Sequence, residues 1–196
     1  MKSFELTGSK RESTGKKAAK AYRKDSLIPC VLYGGKEVVH FTVTKEGIRK
    51  LVYTPEVHIV NLTIEGKKFT AILKDMQTHP VSDELIHADF LEIFKDKPVV
   101  IDIPIVLEGL AQGVKEGGKL SMEMRKLKVK GLYKDFPEKI IVNVENLGLG
   151  KTIQVGNLDF KNLELLNAKD NVVASVKSTR AAKGMALTPA AAATTT

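Results

Sequence analysis

Hydrophobic and polar residues alternate with a period of two in many separate segments of this chain of 196 residues. The alternation is clearest in VVHFTVT (38–44), VVIDIPIVLEG (99–109) and RKLKVKGL (125–132). Successive side chains of a β-strand lie on opposite faces, so this period predicts half-buried strands rather than packed helices. The chain is therefore predicted to be mostly β, with a minor share of α-helix.

Two short helices are expected among the strands of the first half. Residues 16–24 have a helix-forming composition, and Ser13 or Thr14 is expected to cap their first turn. TKEGIRKLVYTP (44–55) carries apolar residues at helical spacing, and Thr44 stands where an N-cap is needed.

A polar break, KDKP at 95–98, marks the predicted boundary between two domains. Residues 1–94 mix strands with both helices, whereas 95–177 show almost no helical periodicity. The second domain is therefore predicted to be an all-β sandwich or small barrel, with a glycine-rich loop at 111–123. Residues 178–196 lack any pattern of core-forming residues, so they are predicted to form a flexible tail.

The single cysteine, Cys30, lies in the apolar run IPCVLY and is expected to be buried. One cysteine excludes an internal disulfide and suits a reducing compartment. The N-terminal stretch has no apolar core of the kind found in signal peptides. No run approaches the roughly 18 apolar residues of a membrane span. We therefore expect a cytoplasmic protein.

Positive charge is concentrated at the N-terminus. The first 24 residues contain eight Lys and Arg residues against two Glu, a net +6 out of +8 for the whole chain. Neutralising phosphates releases counterions, so such a cluster indicates a polyanionic partner, with nucleic acid the first candidate. Helical spacing would place Lys16, Lys20 and Arg23 on one face. A membrane-surface helix is disfavoured, because this segment offers only alanines, a glycine and Tyr22 as its apolar face.

Motifs for catalysis, nucleotide binding or metal binding are weak. LGLGKT (147–152) resembles the end of a phosphate-binding loop, but Glu145 stands where the first glycine is required. The TIQV that follows predicts a strand, so a turn before a strand is the favoured interpretation. We predict neither an enzyme nor a cofactor. A metal set could be drawn from two histidines and three carboxylates, although nothing in their spacing supports it: His79, His87, Asp75, Asp83 and Asp89.

His87 and Asp89 lie two residues apart on a predicted strand, so both point to the same face. Such a pair is either solvated surface or a pair that reads bases and ribose hydroxyls. Tyr33, just before two glycines, is either a core residue or a platform on which a base stacks. The residues alone leave both choices open.

Several longer motifs follow one another in a fixed order and resemble a known family. They are KR at 10–11, RKDSLIPCVLYGG at 23–35, DMQTHP at 75–80, LIHADF at 85–90, IPIVLEG at 103–109, GVKEGG at 113–118 and PEKI at 137–140. Together they resemble the bacterial 5S rRNA-binding ribosomal proteins of the CTC, or general stress protein, family. This is the L twenty-five family of the large subunit, in its long two-domain form. The resemblance covers about residues 2–177 and favours the RNA-reading interpretation of His87 and Asp89.

The resemblance implies an N-terminal small β-barrel with short helices that binds 5S rRNA in the central protuberance. It implies arginines that position the domain, lysines that add salt-dependent attraction, and a few residues that make directional contacts. The expected RNA-binding residues are Lys10, Arg11, Lys16, Lys17, Lys20, Arg23, Tyr33, Gln77, His87 and Asp89.

The chain departs from the family pattern near two of its motifs. Thr78 stands where members often have a basic residue, and the acidic or neutral Ser82, Asp83 and Glu84 stand where members are often basic. We therefore expect fewer peripheral phosphate contacts. The expected partners are 5S rRNA and the large subunit, with its neighbouring proteins and rRNA, and the protein is expected to be a monomer there. The alternative is a stress-related protein–protein adaptor that uses the C-terminal β domain.

Overall fold

The first six strands close into a barrel in the computed structural model, which describes residues 2–54, 56–158, 160 and 162–179. Around the barrel the strands follow the order β1-β3-β2-β6-β5-β4, and β4 pairs with β1 to close it. The pairs β1–β4 and β2–β6 are parallel, and the other pairs are antiparallel. The strands are β1 (Ser3–Lys10), β2 (Leu27–Tyr33), β3 (Val39–Thr44), β4 (Ile59–Ile64), β5 (Lys67–Thr78) and β6 (Leu85–Glu92).

The inward positions of these strands fill the barrel with side chains. Phe41 and Phe90 are fully buried, and their ring centres lie 5.7 Å apart with the planes tilted by 48°. Cys30 is buried beside them, as expected from its apolar run. A six-stranded barrel has an interior that side chains can fill, so this part of the molecule has a packed core rather than a channel.

Two helices accompany the barrel, α1 (Lys16–Lys24) and α2 (Lys45–Val52). Both are confirmed, and the Thr44 hydroxyl caps α2 by accepting a hydrogen bond from the Gly47 N–H at 3.2 Å. The predicted Ser13 or Thr14 cap of α1 is wrong. Gly15 occupies the N-cap position at a φ of 103°, in the left-handed region that favours glycine, and makes no side-chain cap.

The rest of the described chain forms two further sheets, which confirms the mostly β expectation. One has the order β10-β7-β9-β12 and the other β11-β13-β8. The predicted loop at 111–123 is in fact a short helix and a strand, because β8 pairs with β13, a partner that a local pattern does not reveal. The elements are β7 (Val99–Glu108), α3 (Gln112–Lys115), β8 (Lys119–Met122), β9 (Lys126–Gly131), β10 (Ile140–Asn143), β11 (Thr152–Gln154), a 3-10 helix (Val155–Asn157), β12 (Glu164–Leu165) and β13 (Val172–Lys177).

The chain divides into two compact units. The first contains 130–138 and the described part of 1–103, and the second contains 104–129 and the described part of 139–196. The domain limits at 94 and 177 stay a prediction, because compactness of contacts does not test independent folding. Most of the predicted tail, from 180 onward, lies outside the described residues. No helix within the described ranges is long and apolar enough to cross a membrane.

Candidate nucleic-acid interface

Three neighbouring barrel strands, β2, β6 and β5, bring the predicted contact residues onto one outer face. His87 on β6 lies opposite Gln77 on β5, and Asp89 lies opposite Asp75. Tyr33 is at the end of β2, which runs parallel to β6 on its other side. We call these five residues the outer polar face. Asp75 belongs to it only through strand register, which is why sequence reasoning considered that residue only as a metal ligand.

On β2 and β6, the outer polar face points away from the core because the neighbouring residues along each strand are buried. On β5, Asp75 and Gln77 belong to that face through their pairing with Asp89 and His87, since Met76 between them is itself 41% exposed. Ala88 and Phe90 flank Asp89 and are fully buried, and Leu32 beside Tyr33 is 1% exposed. Alternation along a strand then leaves the intervening side chains outside. Gln77 and Asp75 are exposed, and Tyr33, His87 and Asp89 are half-buried.

His87 and Asp89 form a short pair, with 2.7 Å between His87 Nδ1 and Asp89 Oδ1. Such a short contact between a ring nitrogen and a carboxylate requires a proton on Nδ1, which therefore donates to Asp89. The pair fixes the ring and leaves Nε2 and the second carboxylate oxygen for another molecule. With 25% and 34% of the two side chains exposed, both remain accessible.

Tyr33 is a half-buried residue of the outer polar face. Partial burial raises the pKa of the Tyr33 phenol above its ordinary value, and the nearby negative charges of Asp89 and Asp75 raise it further. The phenol therefore stays neutral at physiological pH and keeps its O–H as a donor. A half-covered ring with a neutral donor can stack on a base and donate to it.

The basic helix α1 packs against β2, beside this face. Its half-buried side includes Ala18, Ala19 and Tyr22, together with Arg23, whose Nε donates to the carbonyl of Ile86 at 3.2 Å. Ile86 is the residue before His87, so this bond ties the helix to the outer polar face. Helical spacing predicted that Arg23 shares one side of the helix with Lys16 and Lys20. Arg23 is half-buried whereas the two lysines are exposed, so it lies at the border of that side, where its guanidinium contacts the barrel.

Three lysines of α1 present their positive charges to solvent. Lys16, Lys17 and Lys20 are exposed. Among the described residues, no carboxylate forms an ion pair with any of the three. Their ammonium groups are therefore available to phosphates.

Lys10 ends β1 and Arg11 follows it. Unlike the exposed lysines of α1, Arg11 is held by contacts with neighbouring residues. The Arg11 N–H donates to the His40 carbonyl at 2.9 Å, which continues the pairing of β1 with β3. The Arg11 guanidinium carbon lies 5.4 Å from the Tyr22 ring centre, within the range of a cation–π contact. The Tyr22 hydroxyl is 3.1 Å from Ser13 Oγ. Sequence reasoning missed this role of Tyr22, because the contact with Arg11, eleven residues earlier in the chain, is seen only in the folded structure.

The other chemistry considered from the sequence does not assemble. His79 Nδ1 accepts hydrogen bonds from two backbone N–H groups in its own turn. His58 is the residue before β4, and its Nδ1 contacts the Glu56 carbonyl. Over the described ranges, no three His, Cys, Asp or Glu residues are grouped as metal ligands would be. After the glycines of LGLGKT comes β11, which confirms the turn before a strand.

The sequence of the chain matches two family models and many relatives. The "Ribosomal L25p family" model matches residues 6–90, and the model for "Ribosomal protein TL5, C-terminal domain" matches residues 98–180. Large ribosomal subunit protein bL25 of Azobacteroides pseudotrichonymphae is 70% identical over 184 residues, which are 93% of this chain and 97% of that protein. The proteins of the same name in Parabacteroides distasonis and Bacteroides fragilis strain NCTC 9343 are 60% and 56% identical, over 94% and 95% of this chain and 97% of each relative.

Ribosomal proteins match this chain along nearly its whole length, which defines a structural component of the ribosome rather than an enzyme. Within that class, the chain belongs to the ribosomal L25p family. The resemblance seen in the sequence motifs is thereby confirmed.

Proposed function

We propose that this protein is a constituent of the large ribosomal subunit that binds 5S rRNA in the central protuberance. The observation that carries the proposal is the bond from Arg23 to the Ile86 carbonyl, which holds the basic helix next to His87 and Asp89. One surface then offers both general attraction for phosphates and a few directional groups. The names of the relatives support the large subunit as the site of action.

The outer polar face suits the wide, shallow minor groove of an RNA helix. That groove displays 2′-hydroxyls and base edges, and proteins read it by shape and by a few hydrogen bonds. Asp89 can accept from a hydroxyl or an amino group, while His87 Nε2 and the Gln77 amide can donate or accept. Tyr33, at the end of β2, supplies a flat aromatic ring on the same face. We propose that these four residues provide the directional contacts.

The charged residues have a different role, which is positioning. Arg11 is oriented by the Tyr22 ring and by the Ser13 carbonyl, 3.3 Å from its Nη2, so its fork is preorganised for a phosphate. The exposed lysines of α1 add attraction without direction. The acidic residues Asp83 and Glu84 lie in the loop before β6 and are partly neutralised, since Glu84 pairs with Lys45 at 3.2 Å.

Filter binding of the full chain to 5S rRNA over a salt series tests the proposal. We expect log K to fall steeply with log salt, by about 0.7 to 0.9 for each phosphate contact. Asp89→Asn should weaken binding by about 5- to 150-fold, as expected for loss of a directional contact of about 1 to 3 kcal/mol. Asp170→Asn, at an exposed position in the second unit, is the matched control and should change little.

Binding that is insensitive to salt, or equal effects of Asp89→Asn and Asp170→Asn, would contradict the proposed site. Electron microscopy of large subunits that carry the protein tests the location. Density at the central protuberance is expected, and density confined to another region would contradict the placement. An adaptor function would instead predict subunit association through a protein partner alone, without affinity for free 5S rRNA.

A further inference from the structure

A row of basic residues, which begins at the residue before β9 and continues along that strand, takes no part in the function proposed above. Arg125, Lys126, Lys128 and Lys130 place four cations in six residues, with no acidic residue among them. The first three are exposed, although β9 is an interior strand of its sheet rather than an edge. We call Lys126 and Lys128 the β9 lysine pair, because they lie on one face, two residues apart.

The β9 lysine pair cannot turn inward. Leu127 and Val129, which alternate with the lysines, are fully buried and anchor the opposite face of the strand in the core. A strand advances about 3.3 Å per residue, so the two lysine Cα atoms are about 6.6 Å apart along it. Successive phosphates of an RNA strand have a comparable spacing.

The two ammonium groups are also free of internal partners. Within the described ranges, neither Lys126 nor Lys128 forms an ion pair with a carboxylate. Two unpaired, flexible lysines held on a fixed strand form a small polycation, which is complementary in charge to a phosphate backbone.

We propose that the β9 lysine pair is a second RNA-binding site, which contacts the phosphate backbone of ribosomal RNA. The site lies in the second compact unit and shares no residue with the outer polar face or with α1. Lysines act as point charges and not as forks, so the site binds phosphates without reading sequence. The site would add to the affinity of the protein for the large subunit, while the barrel would provide the specificity for 5S rRNA.

One neighbouring feature would suit a different partner. Val106 and Ile141 are paired across β7 and β10 on the outward side of the same sheet, and they are 41% and 55% exposed. A protein partner would bury this apolar pair as well as meet the lysines. RNA would depend on the lysines and on salt, and not on Ile141. The two occupants therefore predict different behaviour of one variant, Ile141→Ser.

The test compares the full-length double variant Lys126→Gln/Lys128→Gln with the unaltered chain. Binding is measured over a KCl series to two probes, isolated 5S rRNA and large subunits from cells that lack the protein. We expect unchanged binding to 5S rRNA. On subunits, loss of two phosphate contacts should reduce the salt slope by about 1.4 to 1.8. That corresponds to a loss of about 15- to 30-fold at about 0.15 M salt, which should vanish as salt approaches about 1 M.

The matched control is Lys119→Gln/Lys169→Gln, which removes two exposed lysines of the same unit away from β9 and should leave the slope unchanged. An equal loss in the control would overturn the proposal. An unchanged slope in the β9 variant would also overturn it. The lysines would then only protect β9 from pairing with other chains, since its neighbour β12 is two residues long and covers it poorly. A loss shared by Ile141→Ser would assign the face to a protein. Failure of the unaltered chain to bind 5S rRNA would contradict only the function proposed above, whereas failure to bind subunits would overturn this proposal too.

Discussion

Two adjacent residues of β6 should separate stability from RNA binding. Phe90 points into the barrel and is 0% exposed, whereas Asp89 points out of it and 34% of its side chain is exposed. Phe90→Leu should therefore lower the free energy of unfolding and leave RNA affinity nearly unchanged. Asp89→Asn should weaken RNA binding and leave the free energy of unfolding nearly unchanged.

The magnitude follows from the contacts of each side chain. Phe90→Leu removes the tilted ring contact with Phe41 and leaves a small cavity. We expect a loss of about 1 to 3 kcal/mol, of which the ring pair contributes about 0.5 to 1.5 kcal/mol. For a unit of about 100 residues this corresponds to a fall in Tm of about 5 to 20 °C. Asp89→Asn keeps the side-chain volume and removes the negative charge that strengthens one partly exposed hydrogen bond from His87, so its cost should be below about 1 kcal/mol.

Tyrosine signals provide a selective assay, because the chain has no Trp and its four tyrosines all lie in the first compact unit. Tyrosine fluorescence during heating therefore reports the unit that contains the barrel. Affinity for 5S rRNA is then measured at a temperature at which both variants are fully folded. The reasoning is refuted if Asp89→Asn lowers Tm as much as Phe90→Leu, or if Phe90→Leu weakens binding as much as Asp89→Asn.

Two further predictions concern titratable groups. Burial raises the pKa of the Cys30 thiol to about 12, so a thiol reagent should modify Cys30 only when the barrel opens. The variant Val81→Cys adds a thiol at an 87% exposed position, and rapid reaction of Cys30 alongside it would contradict the burial. Hydrogen bonds from Lys177 and then Ser121 lower the pKa of Glu123 below its ordinary value. The stability that Glu123 contributes should therefore be present above pH 4.5 and be lost as pH falls, so urea unfolding should show Glu123→Gln and the unaltered chain converging in acid. A difference that is independent of pH would contradict this assignment.

The sequence predicted most strands, because alternation is a local consequence of strand geometry. Leu127 and Val129 turned out to be buried and Lys126 and Lys128 exposed, as their period requires. Both helices of the first half were predicted for equally local reasons. The Gly15 cap was missed, because a polar side chain near a helix start does not by itself fix which residue adopts the cap conformation.

The residues of the outer polar face were named through resemblance, and their role as a site stays a prediction. What the structure adds is their arrangement. Alternation alone left Tyr33 open between core and surface, and it did not link Asp75 to Asp89. The strand register supplies that link, and the bond from Arg23 to a carbonyl 63 residues away joins the basic helix to the face.

The sequence by itself determined most of the residues that form strands, which of them point inward, and where positive charge is concentrated. These properties depend on neighbours within a few residues. Only the tertiary structure decided which strands pair. All the strands share one pattern, and alternation cannot choose among partners that are far apart in the chain. The parallel pairings β1–β4 and β2–β6, which close the barrel and place Tyr33 beside the strand of Asp89, are therefore properties of the fold.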